Sequence, residues 1–134
     1  MKFFVSGKIG VERDAKEVMQ ILRDAGHEIT FDWTVTEHLK PYDRKPRACR
    51  MAAVVDVNGV KEADVFVILP HERGIGMYIE LGIAISSEIP IRVVVNPWLK
   101  SCTMFYYHPL VKKVSSIEEI LKEFSMGIQN ETKR

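Results

Sequence analysis

The sequence predicts an α/β chain built on a doubly wound, parallel five-stranded sheet with helices on both faces, and three observations carry that prediction. Apolar, β-branched runs alternate with segments of helical periodicity along the 134 residues. The central runs, DVFVIL and IRVVV, are nearly continuous in apolar character, as strands covered on both faces are. The connections between runs and helices are short, the habit of a parallel sheet wound with right-handed crossovers. The length suits one compact domain, residues 1–134.

The elements follow in order. Lys2–Ser6 (KFFVS) is a short apolar run ended by Gly7 and reads as a buried strand. Val11, Ala15, Val18, Met19, Leu22 and Ala25 recur at helical spacing, with Glu12 and Asp14 near the start and Gly26 as the stop. Glu28–Asp32 is a second strand. The stretch from Trp33 to Pro46 is irregular, and its length marks it as a functional loop. Arg47–Val55 reads as helix, with Asp56-Val57-Asn58-Gly59 interrupting or restarting it before Lys61–Ala63. Asp64–Leu69 is a buried strand, Pro70–Gly76 a charged glycine-bearing turn, and Met77–Ser87 a largely buried helix. Ile91–Val95 and Val111–Val114 supply the last two strands. Ser116 and Glu119 form a capping box that opens a final helix, Ile117–Phe124, and the polar tail from Gln129 is expected to fray. A flavodoxin-like sheet of order 2-1-3-4-5 is the arrangement these elements favour.

Composition excludes several function classes. Hydrophobic residues make up 46% and charged residues 28%, the balance of a soluble globular chain. Lys and Arg number 19 against 18 Asp and Glu, so no global field draws in nucleic acid or an anionic membrane. Cys49 and Cys102 have no CxxC spacing, and His27, His38, His71 and His108 lie far apart, so no metal site or disulfide framework is expected. The first residues, MKFFVSGKIGVERD, are too short in apolar run for a signal or membrane span. A cytoplasmic chain without metal or cofactor is the expectation.

In a 2-1-3-4-5 sheet the ligand crevice opens where strands one and three diverge, at their carboxyl ends. The loops there are Gly7–Gly10 and Pro70–Gly76, both glycine-bearing, and the second feeds a helix N-terminus suited to an anion. Neither carries the phosphate-loop or dinucleotide fingerprint, which argues against ATP and NAD. Glu80 is the anomaly, a carboxylate among apolar and small neighbours in Gly76-Met77-Tyr78-Ile79-Glu80-Leu81-Gly82-Ile83-Ala84. It is either a solvent-facing or ion-paired helix residue or a nucleophile that the helix dipole keeps ionised. Asp56 is either the N-cap of a short turn, Val57–Lys61, or a group that exchanges a proton with a leaving group. Asp64 is expected at the opposite end of the sheet in a structural role.

Ser6-Gly7-Lys8-Ile9 after the first strand, Asp56 followed by Val60 and Ala63-Asp64-Val65, and Gly76-x-x-x-Glu80-x-Gly82-x-Ala84 together resemble the nucleoside 2-deoxyribosyltransferase family. That family includes the 2'-deoxynucleoside 5'-monophosphate N-hydrolases and related nucleotide N-glycosidases, and the resemblance runs from the first strand through Phe105. It implies cleavage or transfer at the N-glycosidic bond of a nucleoside or nucleoside 5'-monophosphate. Glu80 matches the nucleophile that forms a glycosyl-enzyme intermediate, and Asp56 the aspartate that assists departure of the base. Gly7, Lys8 and Ile9 match the loop lining the sugar and phosphate pocket. Thr103 matches a hydroxyl that reaches a neighbouring subunit's site, which implies a homodimer or higher homo-oligomer.

The chain also departs from the family. Six residues before the nucleophile the transferases carry an aspartate and the monophosphate hydrolases a phosphate-binding serine, whereas this chain has Gly74. Arg73 or Lys8 is then the candidate phosphate contact, with a solvated loop charge the alternative for Arg73. The segment His38–Arg50, with Lys40, Arg44, Lys45, Arg47 and Arg50 against Asp43, is either an electrostatic gate for an anionic nucleotide or a solvated face. Trp33 is the first candidate to stack on a base, ahead of Trp98 and Tyr78. His71, in the crevice loop, is either a ligand contact or a surface histidine, and Phe105, Tyr106 and Tyr107 are expected in core or subunit contact. The rival to an enzyme is a non-catalytic nucleotide-binding module in which Glu80 anchors a ribose hydroxyl.

Overall fold

The computed structural model describes residues 1–36 and 38–132, without the side chains of 126–132. Its strands are β1 (Lys2–Ser6), β2 (Glu28–Ile29), β3 (Val65–Ile68), β4 (Ile91–Val94) and β5 (Val111–Val114). Its helices are α1 (Glu12–Asp24), α2 (Pro46–Glu62), α3 (Ile75–Ser86) and α4 (Ile117–Thr132). The five strands form one sheet of order β2-β1-β3-β4-β5, every pair parallel, with Ser6 in register with Ile68 at the carboxyl end. This is the flavodoxin-like winding the sequence predicts.

Alternation along the strands sorts the core into two layers. Phe3, Val5, Val65 and Val67 face α1 and α4, where they meet Ala15, Met19, Leu22, Ile117 and Ile120. Phe4, Phe66 and Ile68 face α2 and α3, where they meet Val60, Met77, Leu81 and Ala84. The Phe4 and Phe66 rings stack at 5.7 Å across neighbouring strands. Each such fully buried side chain contributes about 1.5–3 kcal/mol. Ser6 falls on the α2/α3 side by the same alternation, and it is fully buried.

Several elements differ from expectation. The second strand is only two residues long, because Asp32 turns aside to cap the 3-10 turn Trp33–Val35, accepting the Thr34 N–H at 3.0 Å while pairing with Arg23 at 2.9 Å. α2 is unbroken through Asp56-Val57-Asn58-Gly59, so Asp56 is mid-helix and does not cap a turn. Close packing explains the continuity: a Cβ on Gly59 would lie 2.9 Å from the Cβ of Phe31, so glycine here admits helix to sheet rather than ending the helix. Glu119 reaches back to the N–H and hydroxyl of Ser115, not Ser116. α4 continues past Phe124 to Thr132, and the last two residues of the polar tail lie outside the described residues. Asp64 accepts the Lys2 N–H at 2.8 Å, at the amino end of the sheet. No helix among the described residues is long and apolar enough to cross a membrane.

Candidate active site

A cavity of about 550 Å³ opens at the carboxyl ends of β1 and β3, within the size range of small-ligand pockets. The loop after β1 contributes Gly7, Lys8 and Ile9, and the loop into α3 contributes Arg73, Gly74, Ile75 and Gly76. α2 adds Cys49, Ala52, Ala53 and Asp56, spaced so that one helix face looks into the opening. Farther along, the same stripe becomes the buried Gly59 and Val60. Asp56 therefore marks the point where α2 leaves the sheet and its inner face turns from core to cavity.

α3 brings Glu80 in by a similar route. Met77, Leu81 and Ala84 form its buried stripe, and Glu80, next to Leu81, lines the cavity together with Met77. The Ser6 hydroxyl donates to Glu80 Oε1 at 2.6 Å. Burial first, then a hydrogen bond with Asp56 and the negative charge Asp56 contributes, push the Glu80 carboxyl well above the usual carboxylate range, with Ser6 pulling the other way. Burial beside a second carboxyl thus opposes the ionised form that the α3 dipole was expected to favour. Glu80 lies more than one turn past Ile75, where the dipole has faded, and desolvation beside a second carboxyl outweighs it.

Of the residues singled out from sequence, Glu80, Asp56, Gly7, Lys8, Ile9, Trp33, Arg73, Gly74 and Gly76 all line this cavity. Thr103 does not; its side chain accepts the Phe105 N–H at 3.2 Å and caps the 3-10 turn Met104–Tyr107. Trp33 is held as a wall: its indole N–H donates to the Val5 carbonyl at 2.7 Å, and a Cβ on Gly7 would touch its ring at 3.2 Å. Trp98 is 90% exposed, away from the cavity. Tyr78 and His71 hydrogen-bond to each other, through the Tyr78 hydroxyl and the His71 carbonyl, and neither lines the opening. Of the basic segment, His38 and Lys40 reach the cavity, while Arg44, Arg47 and Arg50 are exposed outside it. Tyr106 is buried, and Phe105 and Tyr107 are half exposed or more.

Sequence reading missed Phe31, Thr34, Thr36, Leu39, Tyr42 and Met77 as lining. Most lie in the long loop, whose path no periodicity reveals; Met77 carried a signal as the neighbour of Gly74. A Cβ on Gly74 would fall 2.2 Å from the Met77 sulfur, so the buried thioether occupies the space where a residue-74 side chain would stand. Among the described residues, no three His, Cys, Asp or Glu side chains gather as a metal-ligand set.

No family model and no curated protein matches the chain. Solved structures do. A CMP N-glycosidase of Clostridium botulinum superposes with a TM-score of 0.65 at 14% identity, over 93% of this chain and 99% of that one. A 2-deoxyribosyltransferase from the psychrotolerant bacterium Bacillus psychrosaccharolyticus gives 0.67 at 16% identity, over 90% of each chain. The chain has their fold. A conserved protein from Enterococcus faecalis V583 shares it too, with a TM-score of 0.59 at 15% identity over 94% of this chain and 98% of that one. The resemblance read in the sequence and the likeness in three dimensions agree on the architecture of an N-glycosidase and a deoxyribosyltransferase.

Proposed function

We propose that the chain cleaves or transfers at the N-glycosidic bond of a nucleoside or nucleoside 5'-monophosphate, through a glycosyl ester on Glu80. The observation that carries this reading is the carboxyl pair, Asp56 from α2 and Glu80 from α3, lining one cavity where β1 and β3 diverge and close enough to interact. Burial and Asp56 both push the Glu80 carboxyl above the usual carboxylate range, and one nucleophile beside one acid is what retaining cleavage requires. The names of two solved structures of the same fold, a CMP N-glycosidase and a 2-deoxyribosyltransferase, support it.

In the reacting complex Asp56 carries the proton and Glu80 is ionised, so that the carboxylate stabilises the positive charge developing at C1' as the bond breaks. A Glu80 oxygen attacks C1', the C1'–N bond breaks with its electron pair left on the base, and Asp56 protonates that nitrogen. Water then adds to C1' while Asp56 takes its proton, and Glu80 departs as carboxylate. A second base in place of that water gives transfer. Lys8 and Arg73 are suited to a 5'-phosphate, the backbone at Gly7, Ile9, Gly74 and Gly76 to close approach, and the Trp33 ring to the base. Thr103, outside its own cavity, is assigned to a neighbouring subunit's site in a homodimer.

The test is release of free base from a panel of nucleosides and 5'-monophosphates, with and without an acceptor base. Glu80→Ala and Glu80→Gln are expected to lose about 10³-fold or more of the rate. Comparable activity in both variants would remove Glu80 from the mechanism. One observation favours a second reading: a Glu80 that keeps its proton is a hydrogen-bond donor to a ribose hydroxyl, as a non-catalytic nucleotide-binding module needs. Calorimetric nucleotide binding with no base released on long incubation selects that reading.

A further inference from the structure

Ser6 is the polar end of an otherwise apolar strand. Phe3, Phe4 and Val5 precede it, all fully buried, and Ser6 is fully buried with them. Its backbone is fixed by pairing with Ile68 and by the Leu69 N–H, which donates to the Ser6 carbonyl at 2.9 Å. Strand alternation leaves its side chain on the α2/α3 face, under α3. Among the described residues its hydroxyl bonds to Glu80 only. A buried hydroxyl on a rigid strand end, aimed at one carboxylate oxygen, has no need to be there for packing.

We propose that Ser6 is a positioning residue for Glu80: its hydroxyl, carried on the fixed end of β1, aims the carboxylate into the cavity and favours its ionised form by hydrogen bonding to it. This role rests on the N-glycosidic reading above. The 2.6 Å separation falls in the range of an O–H donor to a charged oxygen. The groups around Glu80 explain why such a donor matters. From α2, Asp56 favours the protonated form, as does burial, and Ser6 from β1 opposes both. Lys8 and Arg73 on the loops, Glu12 on α1, and His38 and Lys40 on the long connection line the same cavity, yet the pull on Glu80 comes from Asp56 and Ser6. The Ser6 hydroxyl is the group that opposes burial and Asp56 at this carboxyl.

Ser6→Ala deletes one oxygen and leaves the strand's backbone and Cβ in place, and a thermal melt checks its folding. Its kcat for base release is expected to fall about tenfold with KM nearly unchanged, and the acidic limb of its pH profile to move up by about one unit. A purely structural Ser6 moves neither limb nor ratio. Infrared titration of the Glu80 carboxyl stretch, assigned by its loss in Glu80→Gln, reads the same coupling without turnover. An upward titration shift in Ser6→Ala supports the role. Base release by the wild type, with the carboxyl titrating alike in both proteins, overturns the role of Ser6 and leaves the N-glycosidic reading standing. A titration shift with no base released by the wild type from any nucleoside or nucleotide sinks that reading instead, and with it any catalytic purpose for the bond.

Discussion

A carboxyl held among apolar neighbours beside a second carboxyl works against folding, and Glu80 is placed that way. Its proton affinity is higher folded than unfolded, so between the ordinary value of 4.5 and the raised folded one the native chain holds a proton the unfolded chain has released. Stability from this group is therefore fully present below pH 4.5 and is lost as pH rises through the folded pKa. Glu80→Gln, which never ionises, is expected to melt about 2–5 °C higher than wild type at pH 7, with the gain shrinking toward pH 4. An equal gain at both pH values would contradict the assignment. Asp56→Asn removes the like charge, so the Glu80 carboxyl is expected to titrate lower. Gly74 makes a steric demand instead. Gly74→Ser pushes a side chain into buried Met77 and is expected to cost about 1–3 kcal/mol in a urea melt, and to cost less when made on a Met77→Ala background. Glu80 was legible in the sequence because a carboxylate in an apolar stripe is anomalous, and Asp56 as an aspartate at the expected crevice edge. Their nearness to each other was not, since the two residues sit on separate helices.

At the scale of elements, α2 decides the site. Asp56, Asn58 and Gly59 have weak helix propensity, which is why the sequence suggests a break there. Tertiary contact overrides it, because the missing side chain at Gly59 lets α2 lie against Phe31 and Phe4. Gly59→Ala improves local propensity, yet it is expected to destabilise by about 1–3 kcal/mol, the sign that packing and not propensity governs this helix. Glu88, just past α3, shows the opposite case. Its φ of 58° lies in the left-handed region, with its N–H on the Ile85 carbonyl at 3.0 Å. Glu88→Gly is expected to stabilise by about 1 kcal/mol in the same melt. Strands β1 and β3 were readable within a residue or two because both faces are apolar, and β4 and β5 because β-branched residues dominate or bound their short runs. The short edge strand β2 was not, since a side-chain cap from Asp32 competes with the ladder.

On the whole molecule, α2 and α3 pack side by side and leave large apolar side chains outward: Met51, Val54 and Val55 from α2, and Ile75 and Ile79 from α3. Stable monomers rarely leave so much apolar surface together. Ile75 and Ile79 also border the cavity, so a subunit covering this face would close the site as well. Sedimentation is expected to give a dimer, and Val54→Lys combined with Ile79→Lys to give monomers with reduced activity. A monomeric wild type that is fully active would refute the shared site.

The sequence by itself determined the layered sheet, its winding and the crevice, because burial on two faces writes a continuous apolar signal that survives without knowledge of neighbours. It also marked most of the loop residues around that crevice through their glycines and charges. Only the tertiary structure decided the burial of Glu80, its bond to Ser6, its nearness to Asp56 and the closure of position 74 by Met77. Each depends on distances between segments remote along the chain, and electrostatic energies in a buried site are set by those distances and by lost water.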